Sequence, residues 1–272
     1  MMLTGIMGNT PSSFRLKHTE YFRGDMIYCK TCDSPKLLNH EYFGWVRITC
    51  PCEIKADREK EEEEQRLKQL ESFRHLQQNS KLGARYKDVS FDNTEIGERT
   101  DKSFLVAFES CKRYCKNYLD VLAGGFGIYM YGENGTGKSH LSACIINELS
   151  KKSIPTLFTN FYTLINDIKD HKANISQIAT IPFLVFDDIG SERVKFKDED
   201  SWVQEIIFQI INQRNNEKKP TIFTSNSTIE ELMTRHGFSK RTIDRIIEMA
   251  SKVLKLEGKS YRLKNRKKEL PF

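Results

Sequence analysis

The run Gly132-Glu-Asn-Gly-Thr-Gly-Lys-Ser139 constrains this chain more than any other feature. It satisfies the spacing G-x-x-x-x-G-K-S, in which glycines let the backbone turn its N–H groups toward an anion at the start of a helix. The flanks agree with that geometry. The apolar run Ile128–Tyr131 reads as a strand entering the loop, and residues 140–149 read as a helix leaving it. A loop of this kind takes a nucleoside triphosphate. Lys138 offsets charge on the outer phosphates, and the Ser139 hydroxyl is a ligand for Mg²⁺. The nucleotide-binding set is therefore Gly132, Glu133, Asn134, Gly135, Thr136, Gly137, Lys138, Ser139 and His140.

A strand, phosphate loop and helix form one unit of an α/β fold, and the rest of the chain supplies its companions. From Gly83 onward, helical patterns alternate with short apolar runs at 127–131, 155–158, 183–186 and 221–224. That alternation implies a parallel sheet covered on both faces. The run Phe183-Leu-Val-Phe ends in Asp187-Asp188-Ile-Gly190. Such a strand delivers carboxylates to the C-terminal edge of the sheet, where ligands of open α/β folds bind. Asp187 is then a Mg²⁺ ligand and Asp188 the group that polarises an attacking water; the plain alternative is an acidic turn after a core strand. Thr221-Ile-Phe-Thr-Ser-Asn226 is a second such strand, ending in an amide. Asn226 there can sense the γ-phosphate, or it can cap the helix that starts near Ser227-Thr-Ile. Arg241 and Arg245 fall at i and i+4 on one helix face, either within reach of a nucleotide or paired with Asp244 or Glu248.

The N-terminal part is built differently. Four of the seven cysteines occur as Cys29-x-x-Cys32 and Cys50-Pro-Cys52, seventeen residues apart. Two short pairs suit a structural Zn²⁺, which takes four thiolates in a tetrahedron, and His40 is a possible substitute ligand. The remaining Cys111, Cys115 and Cys144 read as small buried hydrophobes on helices. Three regions follow: a zinc-binding module at 1–52, a charged helical linker at 53–82, and an ATPase domain at 83–272. In the linker, Leu67, Leu70, Phe73 and Leu76 give one weak apolar edge.

Charge and hydropathy exclude some classes. No stretch reaches the roughly 18 consecutive apolar residues of a membrane span. The start, MMLTGIMGNTPSS, lacks the pattern of a secretory signal, so a cytoplasmic protein is expected. The net charge of +6 sits entirely in residues 251–272, which carry eight Lys/Arg (Lys252, Lys255, Lys259, Arg262, Lys264, Arg266, Lys267, Lys268) against Glu257 and Glu269. That is either a solvated tail or a contact for a polyanion.

Taken in order, GENGTGKSHLS, FDDIG with Glu192 soon after, TSNS and the Arg-x-x-x-Arg helix resemble the AAA+ ATPases of the DnaC/DnaI helicase-loader group, kin of the IstB transposition helpers. The resemblance spans roughly residues 84–261, and residues 84–93 resemble the family's stretch that packs near the adenine. It implies an AAA+ P-loop ATPase that binds ATP/ADP and Mg²⁺ between subunits of a homo-oligomer. Arg241 would be a finger toward a neighbour and Arg245 a sensor, or the reverse. The cysteine module would grip a hexameric replicative DNA helicase. Single-stranded DNA would lie on the helical insertion at 160–172, with Lys169, Lys172, Phe161 or Tyr162 in contact. The alternatives are a transposition helper on duplex DNA and a nucleotide-switched adaptor with little hydrolysis.

Overall fold

The computed structural model describes residues 10–11, 14–78, 82–96, 101–170, 173–191, 201–258 and 260–261. Lys172, Glu192, Lys259, residues 262–272 and the side chain of Leu76 lie outside the described residues. The chain divides into two compact units, Met1–Gln69 and Leu70–Phe272.

In the first unit, two antiparallel hairpins pair β1 (Glu20–Arg23) with β2 (Met26–Cys29) and β3 (Leu37–His40) with β4 (Gly44–Arg47). Gly24 turns the first hairpin at φ +60°, a left-handed conformation in which glycine is unstrained. The described hydrophobic residues buried in this unit are only Ile27, Cys29, Leu37 and Cys50. Lys36 is also buried, and its ammonium pairs with Glu53. Helix α1 (Pro51–Gln78) begins inside the second cysteine pair, so Cys52 is already helical and the expected module–linker border at 52/53 is no structural break. Pro51 at the first helical position explains this, since its fixed φ suits a helix start. The division between units falls within α1, and Phe73 on its later part is buried in the core of the second unit.

The second unit is a five-stranded parallel sheet in the order β6-β7-β8-β5-β9. Its strands are β5 (Ile128–Tyr131), β6 (Thr156–Asn160), β7 (Phe183–Ile189), β8 (Thr221–Ser225) and β9 (Lys252–Lys255). Alternate residues feed opposite faces. Leu184 and Phe186 join one apolar cluster with Tyr129 and Phe223, while Phe183 and Val185 join the other with Ile128 and Ile222. Helices α2 (Lys102–Lys116) and α4 (Lys138–Lys151) cover the second face. Helices α5 (Phe161–Lys169), α6 (Ile175–Thr180), α7 (Ser201–Asn216), α8 (Ile229–His236) and α9 (Lys240–Met249) cover the first; α3 (Tyr118–Gly124) completes the set.

β9 corrects the reading of residues 251–272 as a tail throughout. Lys252 and Lys255 lie on an edge strand, with Leu254 buried and Val253 exposed in a two-residue alternation. Lysines on an edge strand keep it from pairing with other chains. The three remaining cysteines are buried on α2 and α4, and burial pushes the Cys115 thiol up to about 12. At the end of α7, Arg214 is fully buried. It donates from Nη1 to the Ile181 carbonyl at 2.7 Å, from Nη2 to that of Pro220 at 2.7 Å and from Nε to Thr221 Oγ1 at 2.8 Å. Burial pulls its pKa down to about 9, so the guanidinium remains charged at neutral pH on carbonyl and hydroxyl acceptors.

Candidate nucleotide site and cysteine cluster

The phosphate loop leaves β5 and enters α4 through Gly137, whose φ is +110°. Gly132 is required for a separate reason: a Cβ there would stand 2.0 Å from the Leu256 carbonyl oxygen, which follows β9. The glycines of the motif therefore serve both the turn and the close passage of the fifth strand's exit. Lys138 is buried at the start of α4, its Nζ donating to the carbonyls of Gly132 (2.6 Å) and Glu133 (2.9 Å) and to Asn226 Oδ1 (2.9 Å). Thr136 Oγ1 donates to the Glu133 carbonyl at 2.9 Å and so closes the loop on itself.

Asn226 continues the network by donating from Nδ2 to Asp188 Oδ1 at 3.2 Å. The helix-cap alternative for Asn226 fails here, because Thr228 caps α8 in a reciprocal box with Glu231. Asp187 accepts from Thr224 Oγ1 at 2.6 Å. Burial raises the Asp187 pKa, and hydrogen bonds from Thr224 and Ser139 oppose that rise. An aspartate beside a serine hydroxyl is an oxygen donor pair suited to Mg²⁺.

These groups open onto one cavity of about 500 Å³, within the range of small-ligand sites. Asn134, Gly135, Gly137, Lys138, Ser139 and His140 line it from the loop, and Asp187, Asp188 and Asn226 from the strand ends. Tyr86 and Asn93 line it from the 84–93 segment, which Asn147 Nδ2 pins to α4 by donating to the carbonyls of Tyr86 and Val89, each at 2.9 Å. Sequence reasoning missed Thr94, Glu95, Thr224 and Tyr261, which also line the cavity. Thr94 Oγ1 sits 2.9 Å from His140 Nε2, and Tyr261 donates its backbone N–H to the Gly135 carbonyl at 3.0 Å.

Arg241 and Arg245 do not line this cavity. Both face α7. Arg241 pairs with Glu205 and lies 4.2 Å from the Phe208 ring centre, while Arg245 donates to Asn212 Oδ1 at 3.1 Å and to Glu248 Oε2 at 2.6 Å. On the α5 insertion, Phe161 is buried against Phe186 and Phe238, which removes it as a base-stacking group. Tyr162 is exposed, and the Lys169 ammonium lies over Trp202.

In the first unit, Sγ atoms of Cys29, Cys32, Cys50 and Cys52 all lie within 4.8 Å of one another. Two separations are 3.5 Å (Cys29–Cys52) and 3.2 Å (Cys50–Cys52). Zinc–sulfur bonds of about 2.3 Å in a tetrahedron give sulfur edges of about 3.8 Å, so the cluster matches in number and scale. Hydrogen bonds from Ser34 lower the Cys32 thiol to about 6, while the crowding sulfurs of Cys50, Cys32 and Cys29 raise that of Cys52. His40 is outside the cluster; its Nδ1 accepts from the Tyr42 N–H at 3.3 Å.

A five-stranded parallel sheet with a phosphate loop after β5, two acids at the end of β7 and an amide after the central strand β8 that lies between them defines an AAA+ nucleotide-binding domain. Residues 62–269 match the family described as IstB-like ATP binding protein, and the chain belongs to that family. It is 27% identical to the replicative helicase loader DnaI of Bacillus subtilis over 246 residues, covering 84% of this chain and 72% of DnaI. It is 29% identical to the replicative helicase loader DnaC of Escherichia coli over 140 residues, covering 48% of this chain and 54% of DnaC. A crystal structure of the DnaC helicase loader superimposes with a TM-score of 0.55 at 26% identity, covering 64% of this chain and 100% of that one. No helix among the described residues is long and apolar enough to cross a membrane.

Proposed function

We propose that this protein is an ATP-hydrolysing loader that places a hexameric replicative DNA helicase on single-stranded DNA in the cytoplasm. One observation carries the reading. The likeness to DnaI covers 84% of the chain, more than the three quarters lying beyond Gln69, so it extends into the cysteine-bearing unit. A transposition helper or a simple nucleotide-switched adaptor needs only the ATPase core; likeness that reaches into part of the N-terminal unit favours the loader.

The chemistry follows from the cavity. Loop N–H groups and Lys138 hold the triphosphate, while Tyr86 and Tyr261 frame the cavity for the base. Ser139 and Asp187 would hold Mg²⁺, which offsets phosphate charge when bound. Asp188 accepts a proton from the attacking water. Asn226, tied to both Lys138 and Asp188, registers whether the γ-phosphate is present. In a homo-oligomer, Arg241 leaves Glu205 to meet a neighbour's nucleotide, with Arg245 as the second arginine. In the other unit, Cys29, Cys32, Cys50 and Cys52 hold Zn²⁺, and this unit grips the helicase. Lys169 and Tyr162 contact the DNA strand.

Lys138→Ala tests the catalytic half. Loss of its charge should lower ATP turnover by at least about 100-fold, the scale of a lost transition-state contact, and weaken ATP binding as well. Wild-type turnover in that variant would refute the site.

A further inference from the structure

Where β7 delivers its two acids, its pairing with β8 breaks. The register slips between Phe186 and Ile189, and Asp188 adopts φ +57°. A bulge of this kind re-aims side chains and takes an N–H out of the ladder. Left-handed backbone is uncommon for a residue with a Cβ, so something must hold it. The Asp188 N–H donates to Thr224 Oγ1 at 2.8 Å. The same hydroxyl donates its own proton to Asp187 Oδ1 at 2.6 Å. Thr224 is 1% exposed on β8. A hydroxyl has one proton to give and lone pairs to accept with, and here both capacities go to neighbouring acids of the same site.

We infer that Thr224 is a positioning residue: its single buried hydroxyl fixes the Asp187 carboxylate toward the Mg²⁺ position and the strained Asp188 backbone toward the γ-phosphate. The inference rests on the ATPase reading. It deepens it by naming the group that sets the mutual geometry of the two acids. Threonine is the residue type this needs, because branching at Cβ restricts χ1 while the hydroxyl both donates and accepts.

The test uses the full chain with Thr224→Val, Thr224→Ala and Thr224→Ser. Two readouts are taken: the Mg²⁺ concentration for half-maximal tightening of ATP binding, by calorimetry, and kcat and KM for ATP. Outer-shell partners of metal ligands typically contribute about 10- to 100-fold in affinity or activity. Thr224→Val should therefore raise the Mg²⁺ half-saturation about 10-fold and lower kcat by about 10- to 100-fold, with Mg²⁺-free nucleotide affinity within about twofold of wild type. Thr224→Ser should restore both readouts to within about threefold. If Thr224→Val does not fold, Thr224→Ala carries the same expectation. Folded Val and Ala variants with wild-type Mg²⁺ half-saturation and kcat overturn the inference. So does a loss of Mg²⁺-free nucleotide binding equal to the loss of turnover, or failure of both variants to fold, since either marks a structural role. A wild-type protein with no turnover would refute the ATPase reading instead, and the Mg²⁺ titration would still decide on Thr224.

Discussion

In the Met1–Gln69 unit the described hydrophobic residues that are buried number four, and two of them are cysteines of the cluster; the Leu70–Phe272 unit buries two apolar clusters, one on each face of its sheet. A small unit with so little apolar burial cannot offset the chain entropy of ordering two hairpins. Its four sulfurs and the ion pair between buried Lys36 and half-buried Glu53 have to do what the core does elsewhere. The difference assigns each unit its own vulnerability. The first should fail by losing a ligand, the second by losing packing or a buried hydrogen bond.

The largest effect that would sharpen this contrast is metal removal. Structural zinc contributes roughly 10–16 kcal/mol of apparent binding energy in small domains. Cys29→Ser with Cys32→Ser should release about one equivalent of Zn²⁺ per chain and abolish the ordered signals of the first unit in an amide NMR spectrum. ATP binding by the core should stay unchanged. A zinc-free wild-type protein with the same ordered signals would break the comparison.

The converse substitution is Arg214→Met. It keeps much of the volume but leaves the carbonyls of Ile181 and Pro220 without their buried donor. Each buried acceptor left without its donor costs roughly 1–3 kcal/mol. A urea titration followed by core fluorescence should show that loss, while zinc content stays at the wild-type level. A smaller effect tests whether ordinary helix chemistry is also at work in the core. Thr228→Ala deletes the cap of α8 and should cost about 1 kcal/mol, with nucleotide binding unaffected.

What could be read from the sequence follows the same division of physical causes. The phosphate loop, Asp187–Asp188 and Asn226 were legible because each ends or follows an apolar strand, and a strand's end fixes where its next residues point. The four cysteines were legible from spacing alone. β9 was not, because Lys252 and Lys255 made an alternating edge strand look like the start of a basic tail. Phe161 is not the stacking group the resemblance allows, because on a helix adjacent residues face about 100° apart, and Phe161 turns to the core while Tyr162 is exposed. Thr224 was invisible as a functional residue for a different reason. Its role depends on a register slip in the neighbouring strand, which no pattern in either strand announces. The helical spacing of Arg245 and Glu248 makes their pairing legible; that Arg241 meets Glu205 and Phe208 on α7 is set by tertiary packing.

The central claim is that a metal-held unit grips a helicase while a separately folded ATPase core reads the nucleotide. The direct measurement is association of the full chain with a hexameric replicative helicase, with and without ATP, by size-exclusion chromatography with light scattering, for the wild type and for Cys29→Ser/Cys32→Ser. The account expects a stable complex for the wild type, and no complex for the double variant although it binds ATP normally. Undiminished helicase association in the zinc-free variant would move the grip to the ATPase core and contradict the account.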